Sequence, residues 1–125
     1  MQILQHPSMP QPEGHYSPVV EHQGVLYVSG LLPRYPDGSL PDGAKAQTHY
    51  VLQKLSELLA FSGSALAHVI QTRVYINDVA DWAAVNAAYI EVFGEHRPAR
   101  CIVPCGPLHH GCLVEIEAVA AVVRT

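Results

Sequence analysis

Two stretches constrain the fold of this chain more than any others: Arg97-Pro98-Ala99-Arg100-Cys101-Ile102-Val103 and Leu113-Val114-Glu115-Ile116-Glu117-Ala118-Val119. The second alternates apolar and polar residues with a period of two, which is the signature of a strand with two different faces. Charge inside such a strand is costly unless something pairs with it. Arg100 opens an apolar run, and Glu115 and Glu117 interrupt one. Two outcomes are open. Arg100 and one of the glutamates can form a structural ion pair, or the three charges can face a ligand.

The rest of the chain falls into order around these strands. Pro7, Pro10, Pro12 and Pro18 crowd the first eighteen residues, and proline fixes φ and donates no backbone hydrogen bond, so this part reads as extended or looped. Gln2 to Leu4 can still add a short edge strand. Val19–His22 and Val25–Ser29 are rich in β-formers and flank Gln23-Gly24, a tight-turn pair. Pro36-Asp37-Gly38 and Pro41-Asp42-Gly43 mark a loop. Val51, Leu52, Leu55, Leu58 and Leu59 recur at helical spacing, which predicts a helix over 44–61 stopped by Gly63. A strand over 68–77 follows, with Ile70, Thr72, Val74 and Ile76 on one face and Gln71, Arg73 and Tyr75 on the other. Asp81 is placed to cap a second helix running to about Phe93, with Trp82, Val85, Tyr89, Val92 and Phe93 as its apolar stripe. Pro98 bars a longer helix. Strands over 99–103 and 112–123 complete the chain.

The predicted order, β-β-α-β-α-β-β over 1–125 as a single domain, is an α+β layer of a mixed sheet with two helices on one face. Val28, Ile70, Val74 and Ile116 read as too apolar to leave the second sheet face in water, so an oligomer is expected to cover it. The 125 residues carry a formal charge of −4 with seven Lys and Arg that do not cluster, which excludes an electrostatic nucleic-acid surface. No apolar run approaches the ~20 residues of a membrane span. The opening residues lack a basic-then-apolar leader pattern. Three cysteines, an odd number, fit free thiols in a reducing, cytoplasmic setting.

Arg100 is the strongest candidate site residue, because a guanidinium grips a carboxylate through two parallel donors. Its bland alternative is a surface pair with Glu95. Glu115 and Glu117 share a strand face, and neighbouring carboxylates raise each other's proton affinity, which suits proton exchange near neutral pH. Alternatively they solvate an exposed face. Tyr16, in an irregular segment, and Ser29 and Asn86 offer hydroxyl and amide groups that are equally at home as structural polar groups. Cys101, Cys105, His109, His110 and Cys112 lie close in sequence but match no standard zinc spacing, so no metal is expected. No glycine-rich phosphate loop and no cysteine with a base at diagnostic spacing is present.

Taken together, Gly14-His15-Tyr16-Ser17-Pro18, Val28-Ser29-Gly30 with Pro33, Gln47-Thr48, Val74-Tyr75-Ile76 with Asp78, Trp82-Ala83-Ala84-Val85-Asn86 with Tyr89 and Phe93, Pro98-Ala99-Arg100 and Val114-Glu115-Ile116-Glu117-Ala118 resemble the reactive intermediate deaminase family, also called YjgF/YER057c/UK114. The resemblance implies a chorismate mutase-like fold and a homotrimer whose sheets form a central β-barrel with clefts between subunits. It implies hydrolysis of reactive enamine or imine acids, such as 2-aminoacrylate and 2-iminobutanoate, to 2-keto acids and ammonia, with no cofactor. The family's carboxylate-binding arginine falls on Arg100 and its acidic residue near the imine carbon on Glu115. Its cleft-lining residues fall on Tyr16, Ser29 and Asn86, and a backbone contact on Ile102. Ile102 stands where many members carry cysteine, and Leu31 where glutamine is usual. The loop before Pro98 is shorter than in the best-known members. Three other readings remain: a non-catalytic module that binds a small keto or amino acid, a deaminase of a larger, aminomuconate-type enamine, and a purely structural trimer whose cleft has no ligand preference.

Overall fold

Apolar alternation along the strands decides how the layers stack. The computed structural model describes residues 1–5 and 12–123, so Pro7 and Pro10 of the expected proline-rich loop lie outside the described residues. The elements are β1 (Gln2–Leu4), β2 (Val19–His22), β3 (Val25–Leu31), α1 (Ala44–Phe61), β4 (Val69–Ile76), α2 (Trp82–Phe93), β5 (Ala99–Pro104) and β6 (Val114–Ala121), with three short 3-10 turns between them. They form one six-stranded sheet in the order β1-β2-β3-β6-β4-β5. Only β4 and β5 run parallel, joined through α2, and the other neighbours are antiparallel. This is the expected mixed sheet with its two helices, and Gln2–Leu4 is its short edge strand.

The last strand in sequence is central in the sheet, hydrogen-bonded to β3 on one side and β4 on the other. Its Val114, Ile116, Ala118 and Ala120 are buried, whereas Glu115, Glu117, Val119 and Ala121 are only half-buried on the opposite face. Val51, Leu52, Leu55 and Leu59 of α1 and Val85 and Tyr89 of α2 fill the core against Val28, Val74, Ile76 and Ile116. At ~25 cal/mol per Å², one such Leu contributes about 2 kcal/mol, so this layer supplies most of the driving force. Gln23 and Gly24 take φ of 52° and 78°, the left-handed pair that a two-residue hairpin needs to match strand twist. Gly63, at φ 83°, closes α1 with Ser64 N–H donating to the Leu59 carbonyl at 2.8 Å.

Three expectations need correction. An irregularity in the pairing of β4 with β6 between Val69 and Gln71 turns Val69 inward and leaves Ile70 48% exposed. Val28, Val74 and Ile116 lie beneath the helices, so they say nothing about the open sheet face. That face presents Tyr27, Arg73, Tyr75, Val103, Glu115, Glu117, Val119 and Ala121, so its apolar residues are other than those the sequence pointed to and stand among charged ones. Asp81 makes no capping bond; Asp78 does, accepting from the Ala80 N–H at 2.9 Å to start the turn before α2.

Buried Gln47 ties three parts together: its Nε2 donates to the Pro41 carbonyl at 3.1 Å and its Oε1 accepts from the Leu113 N–H at 2.8 Å. Gln47→Leu removes both bonds and strands two backbone groups, each costing about 1–3 kcal/mol. Urea denaturation is expected to show a loss of about 2–6 kcal/mol with an unchanged m-value.

Candidate active site

The candidate residues fall into two clusters on opposite faces of the sheet. The first gathers around the end of β3. Pairing of β3 with β6 is irregular between Val28 and Leu31, which places Ser29 and Gly30 out of the regular ladder. A β-carbon built on Gly30 would overlap the Glu115 carboxylate, and Gly30 has no unusual φ. Glycine here leaves open the space that the end of the Glu115 side chain occupies, and the reason is not backbone freedom. The Glu115 carboxylate rests on the bare Gly30 backbone. Ser29 Oγ donates to the Ser17 carbonyl at 2.7 Å and Ser29 N–H to the Pro18 carbonyl at 3.0 Å. These two bonds pin the segment that carries Tyr16, whose ring is half exposed.

Burial, and then the charge of Glu117, push the Glu115 carboxyl above the ordinary value of 4.5, while His109 pulls it back in part. Glu117 is better compensated. It accepts from the Tyr75 hydroxyl at 2.5 Å and lies 3.9 Å from the Arg73 guanidinium. Glu115 is thus the carboxylate placed to exchange a proton above the usual range, and Glu117 the one that helps hold it there.

The second cluster lies on edge strand β5. Arg100 stands opposite Thr72 and Ile102 opposite Val74 in the parallel ladder, so both point to the helix side. The Arg100 guanidinium carbon sits 4.9 Å from the Tyr89 ring centre and 5.6 Å from that of Trp82. A cation over an aromatic face gains roughly 0.5–2 kcal/mol and is held in place without its charge being neutralised. The Tyr89 hydroxyl donates to Thr72 Oγ1 at 2.9 Å, and burial pushes this phenol up to about 12, so it stays protonated. Asn86 is four residues after Trp82 and three before Tyr89, on the same stripe of α2. Among the described residues Arg100 has no carboxylate within 4 Å. Neither the pair with Glu95 nor one with Glu115 or Glu117 forms.

Tyr16, Ser29 and Glu115 are thus one group, and Asn86, Arg100 and Ile102 another. Strands β3 and β5 are three strand spacings apart, roughly 14 Å at ~4.8 Å each. A small acid cannot touch both clusters of one chain. Among the described residues no three His, Cys, Asp or Glu side chains converge as a metal site would require. Cys101 is exposed, Cys112 is buried, and all three thiols are free.

The structure also shows a cleft of about 470 Å³ that begins at Tyr16, Ser29 and Gly30 and runs along Leu31 and Leu58 to Arg34, Lys54 and His110. Sequence reasoning missed its two cations. Lys54 was legible, being three residues after Val51 and four before Leu58 and so beside the buried stripe of α1. Arg34 sits in a loop and carried no such signal. Among the described residues no helix is long and apolar enough to cross a membrane.

Comparison with known proteins supplies the family. Residues 6–122 match the family model described as endoribonuclease L-PSP. A RutC-family protein of Pyrococcus horikoshii is 38% identical over 89% of this chain and 90% of its own length. The 3-aminoacrylate deaminase RutC of Acinetobacter baylyi is 36% identical over 90% of this chain and 91% of its own. The crystal structure of RidA from an Antarctic Psychrobacter species superposes with a TM-score of 0.89 at 30% identity, covering 98% of this chain and all of that one. A match spanning nearly the whole sequence, on the same order of strands and helices, means that this chain belongs to the reactive intermediate deaminase (RidA/YjgF) family.

Proposed function

We propose that the protein hydrolyses reactive enamine and imine acids of the 2-aminoacrylate and 2-iminobutanoate class to 2-keto acids and ammonia, in clefts between the subunits of a homotrimer. The observation that carries this reading is the division of the site. A guanidinium that meets no carboxylate among the described residues is fixed on one face of the chain, and a half-buried carboxylate with raised proton affinity on the other. Each cluster lacks what the other offers, and a second copy docked edge to face supplies it. The curated relative named for 3-aminoacrylate deamination supports the chemistry. Unpaired thiols suit a cytoplasmic setting.

In this reading Arg100 of one copy clamps the substrate carboxylate through two parallel N–H donors, while Asn86 and the Ile102 backbone border the clamp. Tyr16, Ser29 and Glu115 of the neighbour close the other side. An enamine acid takes a proton from solvent at C3 and becomes the iminium, its nitrogen keeping both hydrogens. Water then attacks C2. The Glu115 carboxylate takes the proton that the water gives up, leaving a neutral tetrahedral carbinolamine. Glu115 returns that proton to the nitrogen, the C2–N bond breaks with its electron pair leaving on ammonia, and the carbinolamine hydroxyl gives its proton to Glu115, and so back to solvent, as the carbonyl forms. The imine is already electrophilic, so positioning and one proton relay suffice, and the chemistry calls on no cofactor.

Arg100→Ala removes two charge-assisted hydrogen bonds of about 1.5–3 kcal/mol each, so kcat/KM in a coupled assay with freshly generated 2-aminoacrylate is expected to fall by about 10²–10⁴-fold. Size-exclusion chromatography should show the oligomer intact, and unchanged turnover would refute the assignment. Glu115→Gln should lower kcat by about 10²–10⁴-fold while a 2-keto acid still binds. Full turnover in that variant would favour the binding-module reading of Glu115 as dispensable.

The pH dependence follows from the base role. The working form is the carboxylate, so activity rises with pH through the Glu115 pKa, which lies above 4.5. Removing the Glu117 charge takes away one of the two influences that raise it. The acid limb of kcat/KM in Glu117→Gln is therefore expected at lower pH than in the wild type; a limb that stays put or moves up contradicts the role given to Glu115. Gly30→Ala should displace the Glu115 carboxylate and reduce kcat far more than it reduces thermal stability.

A further inference from the structure

The cleft beside Tyr16 and Gly30 is larger than the proposed small substrates require. At the ~30 Å³ share that one water takes in the liquid, a pyruvate-sized acid of six non-hydrogen atoms displaces no more than about 180 Å³, against a cleft of about 470 Å³. Cavities of roughly 300–1,000 Å³ hold larger organic ligands. The walls nearest Gly30 are apolar, built from Leu31, Leu32, Leu58 and Phe61, and the far end is charged.

The charges are sorted by depth. Lys54 Nζ, half-buried, donates to the Leu32 carbonyl at 2.8 Å and lies 5.7 Å from the Tyr50 ring. Among the described residues no carboxylate approaches it within 4 Å, so at least one of its three donors is unspent. Arg34 is one-third exposed, and its Nη1 meets Glu13 Oε1 at 3.2 Å and His110 Nε2 at 3.1 Å. Glu13 and Glu57 also line the cleft but are exposed at its rim, where water screens them. The inner charges are therefore both positive. The Glu13 carboxylate on Arg34 shows that this guanidinium accepts a carboxylate in this geometry. Burial lowers the proton affinity of Lys54, and the Cys112 thiol and the Glu57 carboxylate pull it back in part.

We infer that the cleft is a subsite for the substrate side chain, and that it takes imine or enamine acids with an apolar stretch ending in a second carboxylate, which Lys54 and Arg34 bind. The inference rests on the proposed deaminase reading, in which the first carboxylate belongs to Arg100 of a neighbouring copy. The apolar stretch lies along Leu31 and Leu58, and the distal carboxylate replaces Glu13 on Arg34 and reaches the free donor of Lys54.

Stable 2-keto acids test this on the full-length oligomer by titration calorimetry. 2-Oxoadipate and 2-oxohexanoate have the same six-carbon chain and differ at the far end. The dicarboxylate is expected to bind about tenfold more tightly, the gain of one charge-assisted contact. Lys54→Met keeps the aliphatic stem and should bring the ratio close to one by weakening the dicarboxylate. Arg34→Gln should reduce it in the same direction, with thermal melting confirming that each variant is folded. Equal binding of the two acids by the wild type, a ratio unchanged in both variants, or no binding of either acid would overturn the subsite. Pyruvate with the wild type and Arg100→Ala separates the two levels. If pyruvate binds and depends on Arg100 while the six-carbon pair shows no discrimination, only the subsite fails. If pyruvate binding ignores Arg100, the underlying reading fails.

Discussion

The pairing of β6 between β3 and β4 is the constraint on which the rest depends. A strand with neighbours on both sides has its register fixed twice, so its side chains cannot slip to the other face without breaking two ladders. Val114, Ile116, Ala118 and Ala120 are thereby committed to the helices, and Glu115 and Glu117 to the open face. The burial that stabilises the core also pins the carboxylates. Glu115 is held in position because moving it would expose four buried apolar side chains.

Each candidate charge has a different means of tolerating its surroundings. Glu115 lies on the backbone of Gly30, partly desolvated and beside another acid, and answers by holding a proton more tightly. Arg100 sits against Tyr89 and Trp82, which stabilise a cation without neutralising it. Lys54 leans on a carbonyl. None of the three forms an internal ion pair among the described residues. Keeping charge available costs stability, and such costs are borne where the charge has work to do.

Much of this was legible in the residues. Helical spacing of Val51, Leu52, Leu55, Leu58 and Leu59 located α1, and Gln23-Gly24 located the hairpin, because side-chain period and turn geometry are local properties. The failures have local causes too. Ile70 fits the inward face of a regular strand, and only the pairing with β6 shows the irregularity that expels it. Asp81 has the right residue type for a cap, yet Asp78 begins the turn one step earlier. Of the apolar residues read as needing a partner on the second face, Val28, Val74 and Ile116 are satisfied by the helices.

The sequence by itself determined the order of elements, the two-faced character of β6 and the identity of the charged residues, since periodicity and residue type act over a few positions. Only the tertiary structure decided that Arg100 and Glu115 face opposite sides of one chain. That outcome depends on which strands become neighbours: β6 enters the sheet between β3 and β4, while β5 is left at the edge. It also decided that Gly30 yields its side-chain space to Glu115 and that Lys54 meets Arg34 in one cleft, because those contacts join segments far apart in the chain and follow from packing, which no local pattern encodes.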